Sequence, residues 1–187
     1  MPTREDALAL LKRYNSNALV THGLAVEGTM RYFAEKSGEN KELWGIVGLL
    51  HDVDYERYPE EHCRKGAEIL RENGYPEEVV RAMMSHGWGI CTDVEPLSQM
   101  EKTLYAVDEL TGLITACALV RPSKSVMDLE LSSAKKKFKD KGFAAGASRE
   151  VIQKGADMLH VSIDELIVDV ISAMRAIAPS LGLEMKS

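Results

Sequence analysis

Four of the five histidines, His22, His51, His62 and His86, and two aspartates, Asp52 and Asp108, stand in an order that chemistry can use. His51 and Asp52 are adjacent and end an apolar run containing Trp44, Val47 and Leu50. Neighbours on a helix point about 100° apart, so such a pair serves one site only where a helix ends and the backbone bends. Imidazole nitrogen with carboxylate oxygen suits a borderline divalent metal such as iron, manganese, cobalt or zinc. Singly, each residue has an ordinary explanation. A histidine is often half-buried against a carbonyl, His62 could answer carboxylates at a helix start, and Asp108 could pair with a cation. Together, four imidazoles and two carboxylates on or beside inward faces of five successive helices form the polar cluster that a metal centre needs. His160 falls outside this set and reads as structural or surface.

The elements that must position these residues are helices, because apolar residues recur at helical spacing almost throughout and nothing reads as a strand. Thr3 with Asp6 opens a first helix bearing Ala7, Leu8, Leu10 and Leu11. A second is predicted from Asn17 to Lys36, ending at Ser37-Gly38, with His22 on the face of Leu19, Ala25, Val26, Met30 and Phe33. Gly23 and Gly28 inside it cost about 1 kcal/mol each against alanine, a cost tolerated where a backbone or ligand comes close. Asn40 caps a third helix, which ends in His51-Asp52. Pro59 begins a fourth, with His62 in its first turn and Gly74 as its stop. Pro76 begins a fifth, on which Val79, Ala82, Met83 and His86 share a face before Gly87 and Gly89. Ser98 and Glu101 cap a sixth that reaches Val120 before Pro122. Asp108 lies within its inward stripe of Leu104, Val107, Thr111 and Thr115, where a carboxylate is costly unless hydrogen-bonded, paired or metal-bound.

Past Pro122 the texture changes. Residues 123–147 carry a lysine run (Lys135, Lys136, Lys137, Lys139, Lys141) and a loose Gly-Ala segment. Ser148 opens a seventh helix to about His160, and Ser162 with Glu165 caps an eighth that ends before Pro179. The expected fold is an all-α, single-domain bundle of about eight helices. Residues 1–122 would form the metal-binding core and residues 123–187 a C-terminal helical extension packing on it.

A chain of 187 residues can bury roughly 70% of its unfolded surface, so it needs neither disulfides nor metal merely to fold. The net charge of −6 argues against bulk nucleic-acid binding through phosphate neutralisation. Cys63, Cys91 and Cys117 are odd in number and lack metal-finger spacing, and no apolar stretch approaches the ~18 residues of a membrane span. With no signal-peptide pattern at the N-terminus, the expectation is a reduced, cytoplasmic protein without membrane attachment.

The order His22, His51-Asp52, Asp108 resembles that of the HD-domain superfamily of metal-dependent phosphohydrolases. His62-Cys63-Arg64-Lys65-Gly66-Ala67 is similar to the His-x-x-x-Gly-Ala segment of its dinuclear subset. His86-Gly87-Trp88-Gly89 and Leu104-Tyr105-Ala106-Val107-Asp108 resemble segments of a bacterial branch that includes the symmetrical diadenosine tetraphosphate hydrolases. The likeness covers roughly residues 18–115. It implies an HD-type helical bundle with His22, His51, Asp52 and Asp108 around one metal, His62 and His86 on a second, and Asp52 bridging. His51 and Asp52 would be catalytic, the ions iron or manganese, and a metal-bridging hydroxide would attack phosphorus in a small phosphate ester or nucleotide.

The chain departs from its relatives at Tyr55, where many carry a lysine, and in a short loop between Asp52 and His62. Arg121 and Lys124 are the candidate replacements for phosphate binding, and Glu56 a candidate proton shuttle. Two alternatives stay open: an HD-fold mixed-valence di-iron oxygenase, and a catalytically silent metal- or nucleotide-binding regulatory module. A homo-oligomer is compatible with either.

Overall fold

Helix starts follow the side chains that cap them. In the computed structural model, which describes residues 1–185, Thr3 and Asp6 close a reciprocal capping box on α1 (Arg4–Tyr14). Asn40 accepts from the amides of Glu42 and Leu43 to start α3 (Lys41–Leu50). Between them α2 (Asn17–Ser37) stops at Gly38, whose φ of 73° is the left-handed conformation that glycine adopts cheaply. Next come α4 (Arg64–Glu72), α5 (Glu77–Ser85) and α6 (Gln99–Leu119), whose start is boxed by Ser98 and Glu101. Then follow α7 (Leu131–Lys139), α8 (Arg149–Leu159), α9 (Ile163–Ala176) and α10 (Ala178–Leu181). The fold is all-α: among the described residues there is no strand, only an isolated bridge between Trp88 and Thr92. No helix among them is long and apolar enough to cross a membrane.

The chain divides into two compact units, Met1–Leu104 and Tyr105–Ser187. The first is organised by α2 against α3, its most extensive helix pair. Glycine makes that approach close. A Cβ on Gly23 would stand 3.0 Å from the Leu49 carbonyl oxygen, and one on Gly48 would stand 3.0 Å from that of Val26. The outer edge of the pair is tied by Glu27, which is buried and takes Arg4 at 2.6 Å and Arg31 at 2.9 Å, while Arg31 also grips Glu42.

Three expectations need correction. His62 is not in the first turn of a helix: Pro59–Glu61 form a short 3-10 turn, His62 is extended, and Cys63 has φ 66° before α4 begins at Arg64. The lysine run falls largely on a helix, with Lys135, Lys136, Lys137 and Lys139 on α7, whose Ala134 is buried and whose basic last turn stands at the helix's negative end. The Gly-Ala segment is not loose either. The Arg149 guanidinium donates to the carbonyls of Lys137, Phe138, Asp140, Phe143, Ala144 and Ala147, gathering the loop around one side chain. With α7 and the short α10, the described residues hold ten α-helices rather than about eight.

Gly48→Ala tests the tight pair. Its Cβ would meet Met30 Cγ at 2.9 Å as well as the Val26 carbonyl. Overpacking of about 1–3 kcal/mol should outweigh a helix-propensity gain of about 1 kcal/mol. Gly112→Ala on α6, where a Cβ meets nothing within 4 Å, should be neutral or stabilising. Denaturant midpoints of the two variants check the contrast.

Candidate metal centre

His51 is the C-cap of α3, and the chain leaves the helix through successive tight turns that set Asp52 and Asp54 two residues apart. His22 is contributed by α2, beside Gly23 at the close approach to α3. His86 caps the end of α5. The rings follow one another with 5.1 Å between centroids, His22 to His51, His51 to His86, and His86 to His62. At the middle stands the Asp52 carboxylate. Its Oδ1 is 3.4 Å from the Nε2 of both His62 and His86, and its Oδ2 is 3.3 Å from His51 Nε2 and 3.9 Å from His22 Nε2. One oxygen therefore faces one pair of imidazoles and the other oxygen faces the second pair.

Hydrogen bonds on the far side of the rings decide which nitrogen points inward with a lone pair. His51 Nδ1 lies 2.7 Å from the Gly48 carbonyl, and His86 Nδ1 is bonded to the Met83 carbonyl. A carbonyl only accepts, so both Nδ1 atoms carry the proton. His62 Nδ1 lies 2.8 Å from Asp54 Oδ1, which fixes the same tautomer through a carboxylate. A neutral imidazole protonated at Nδ1 presents a bare lone pair at Nε2. Yet His62 Nε2 and His86 Nε2 are 3.2 Å apart. Two lone pairs facing each other at that distance repel, and a shared proton or a cation between them removes the conflict. The donor set of imidazole nitrogens and a carboxylate fits a borderline divalent cation. Burial opposes charge on Asp52, whereas positive charge and hydrogen bonding from the His51 and His86 rings, when these are protonated, hold its carboxyl well below the usual carboxylate range.

Asp54 is the functional residue that the sequence reading missed. It is fully buried, and while Oδ1 holds His62, Oδ2 accepts the Gly66 amide at 2.6 Å. This is the carboxylate–histidine arrangement that orients a metal ligand and raises its basicity. Its available signal was a second acid two residues after Asp52, with Val53 between them. Cys63 also enters the cluster. Its sulfur and nitrogens of His62 and His86 lie within 4.8 Å of one another. The Cys63 and Cys91 sulfurs share a hydrogen bond at 3.3 Å, which raises the pKa of Cys63 and lowers that of Cys91 to about 6.

Asp108 lies on α6 in the second unit, half-buried, one turn past Leu104. Arg121, at the turn after α6, is gripped by both oxygens of Asp128 at 2.9 and 3.0 Å, so the fork expected to take a phosphate is filled. Lys124 is exposed with φ 50°. Glu56, a candidate proton shuttle, instead accepts from the Ser16 hydroxyl at 2.6 Å and its amide at the start of α2. Tyr55, in the position of the expected lysine, sets its ring edge-on to His62 at 5.0 Å. His160 is the exposed left-handed cap of α8.

A helical bundle with a histidine–aspartate cluster at the end of α3 defines a class of metal-binding protein. The HD-domain model matches residues 19–112, half of the chain, and the chain belongs to the HD-domain family, within the superfamily of metal-dependent phosphohydrolases. It is 27% identical over 144 residues to the ribonuclease Y proteins of Thermotoga petrophila and Thermotoga maritima, covering 74% of this chain and 27% of theirs. An uncharacterised protein of Methanocaldococcus jannaschii is 39% identical over 94 residues, 46% of this chain and 55% of that one. The chain thus spans about a quarter of the ribonuclease Y length and about half of the archaeal protein. No solved structure matches significantly.

Asp54→Asn preserves shape and can still accept from Gly66, but it removes the charge that fixes the His62 tautomer. Metal affinity should fall about 10–100-fold, as for other groups that orient ligands. Chelator competition with the two proteins measures it, and an unchanged affinity would remove Asp54 from the centre.

Proposed function

We propose that this chain is a two-metal phosphohydrolase acting on a small phosphate ester or nucleotide. The observation that carries the reading is the pair of facing Nε2 atoms of His62 and His86 with Asp52 Oδ1 equidistant from both. In this reading His62, His86 and Asp52 Oδ1 hold one cation. His22, His51 and Asp52 Oδ2 hold the other, with Asp108 proposed as a further ligand from its place in the sequence pattern. Bound divalent cations, iron or manganese, would supply Lewis acidity at the phosphoryl group and a water acidified into the neutral range.

The chain's own contribution is positioning. Asp52 places one negative charge between the two imidazole pairs, where it would lessen the repulsion between two bound cations. The Gly48 and Met83 carbonyls and Asp54 hold three rings in the ligating tautomer, so none need reorganise when substrate arrives. Since Arg121 is held by Asp128, Lys124 remains the cation proposed for the substrate phosphate, on sequence order alone. The likeness to proteins named ribonuclease Y favours a phosphodiester. The acidic net charge favours a nucleotide or short oligonucleotide over long RNA. The three cysteines, all free thiols, suit a reduced, cytoplasmic setting.

The test is metal quantification of anaerobically purified protein, with hydrolysis assays on a generic phosphodiester, a phosphomonoester, diadenosine tetraphosphate and a short oligoribonucleotide. About two metals per chain are expected, with manganese- or iron-dependent turnover that falls to background in Asp52→Asn and His62→Ala. Two irons without hydrolysis of any substrate would instead favour the oxygenase. Full turnover in the presence of excess chelator would overturn both.

A further inference from the structure

We propose that Cys63 and Cys91 form a reversible disulfide that acts on the histidine cluster from behind. Their sulfurs are 3.3 Å apart although the residues are 28 positions apart in sequence. The space they share is made by Gly87. A Cβ at that position would lie 2.8 Å from Cys63 Sγ and would collide with Cys91 Sγ, so the absence of a side chain lets the two sulfurs meet. One partner is exposed and the other fully buried: Cys91 is open to a solute oxidant, whereas Cys63 is 0% exposed and can meet only Cys91. Cys117, the third thiol, is buried on α6 in the second unit.

One end of this pair is covalently next to the cluster, and the other packs against a residue that is. Cys63 follows His62, and Gly87, against which the sulfurs rest, follows His86. Cys63 is also held at φ 66°, ψ −43°, a γ-turn conformation that is rare and strained for a residue with a side chain. A strained residue beside a ligand transmits small displacements directly to that ligand. Closing the sulfurs from 3.3 Å to a bond of about 2.05 Å must draw together the segments that carry His62 and His86.

The oxidant is a hydroperoxide. The Cys91 thiolate attacks the terminal peroxide oxygen, the O–O bond breaks, and the peroxide leaves as an alcohol, or as water from hydrogen peroxide. The sulfenic acid on Cys91 is then attacked by Cys63 sulfur, which loses its proton, and the hydroxyl departs as a second molecule of water. Two thiols lose two electrons in total and the peroxide gains two. A dithiol reductant reverses the step. The consequence for metal binding, a loss of affinity of at least about tenfold, rests on the metal-centre reading; the cross-link itself does not.

The experiment treats the manganese-loaded 187-residue chain with hydrogen peroxide, maps its peptides without reduction, and measures metal retention against a chelator. The expected result is a Cys63–Cys91 cross-link, with Cys117 alkylated after denaturation, and metal loss that dithiothreitol reverses. Cys91→Ser should form no cross-link and keep its metal through the same treatment. Oxidation of Cys91 to sulfinic acid with Cys63 still alkylatable would overturn the pair. A cross-link with no change in metal retention would overturn its action on the cluster. If reduced protein binds no manganese, the metal-centre reading falls, while the peptide map still decides whether the disulfide forms.

Discussion

The Asp52 carboxylate is the charge on which the centre depends. It lies among four imidazole nitrogens, each oxygen directed at its own pair. Removing a carboxylate from water costs several kcal/mol unless positive charge answers it. Neutral rings protonated at Nδ1 answer it poorly, because they direct lone pairs at the same space. Positive charge held between the pairs would satisfy the carboxylate and the imidazoles together.

The scaffold of the first unit serves that arrangement. Gly23 and Gly48 let α2 and α3 approach until His22 and His51 can stack edge to face, and the carbonyl of Gly48 also sets the tautomer of His51. Asp54 joins the turn after α3 to the start of α4 by holding both His62 and the Gly66 amide. These two bonds span the extended His62 and the positive-φ Cys63 that separate the turn from α4.

What was legible in the sequence was local. The caps at Thr3, Asn40, Ser98, Ser148 and Ser162 all bond as their spacing indicates, since each needs only a partner two or three residues away. The apolar faces placed His22 and His86 well, and the His51-Asp52 pair marked the helix end. What escaped depends on partners distant along the chain. Asp54 meets Gly66 across twelve residues, Cys63 meets Cys91 across 28, and Glu56 is taken by Ser16 across 40. Arg149 was hidden because nothing in a Gly-Ala segment announces that its carbonyls will converge on one guanidinium. The HD-domain match to residues 19–112 supports the metal-binding class. The chemistry beyond that class rests on the centre itself.

Anomalous diffraction from crystals of the reduced protein grown with manganese addresses the central claim most directly. The account predicts anomalous density between His62 Nε2, His86 Nε2 and Asp52 Oδ1, with a second peak beside His51 Nε2 and Asp52 Oδ2. Crystals with no anomalous density there, and with His62 and His86 still in direct contact, would mean that the pair shares a proton and that the cluster is not a metal centre.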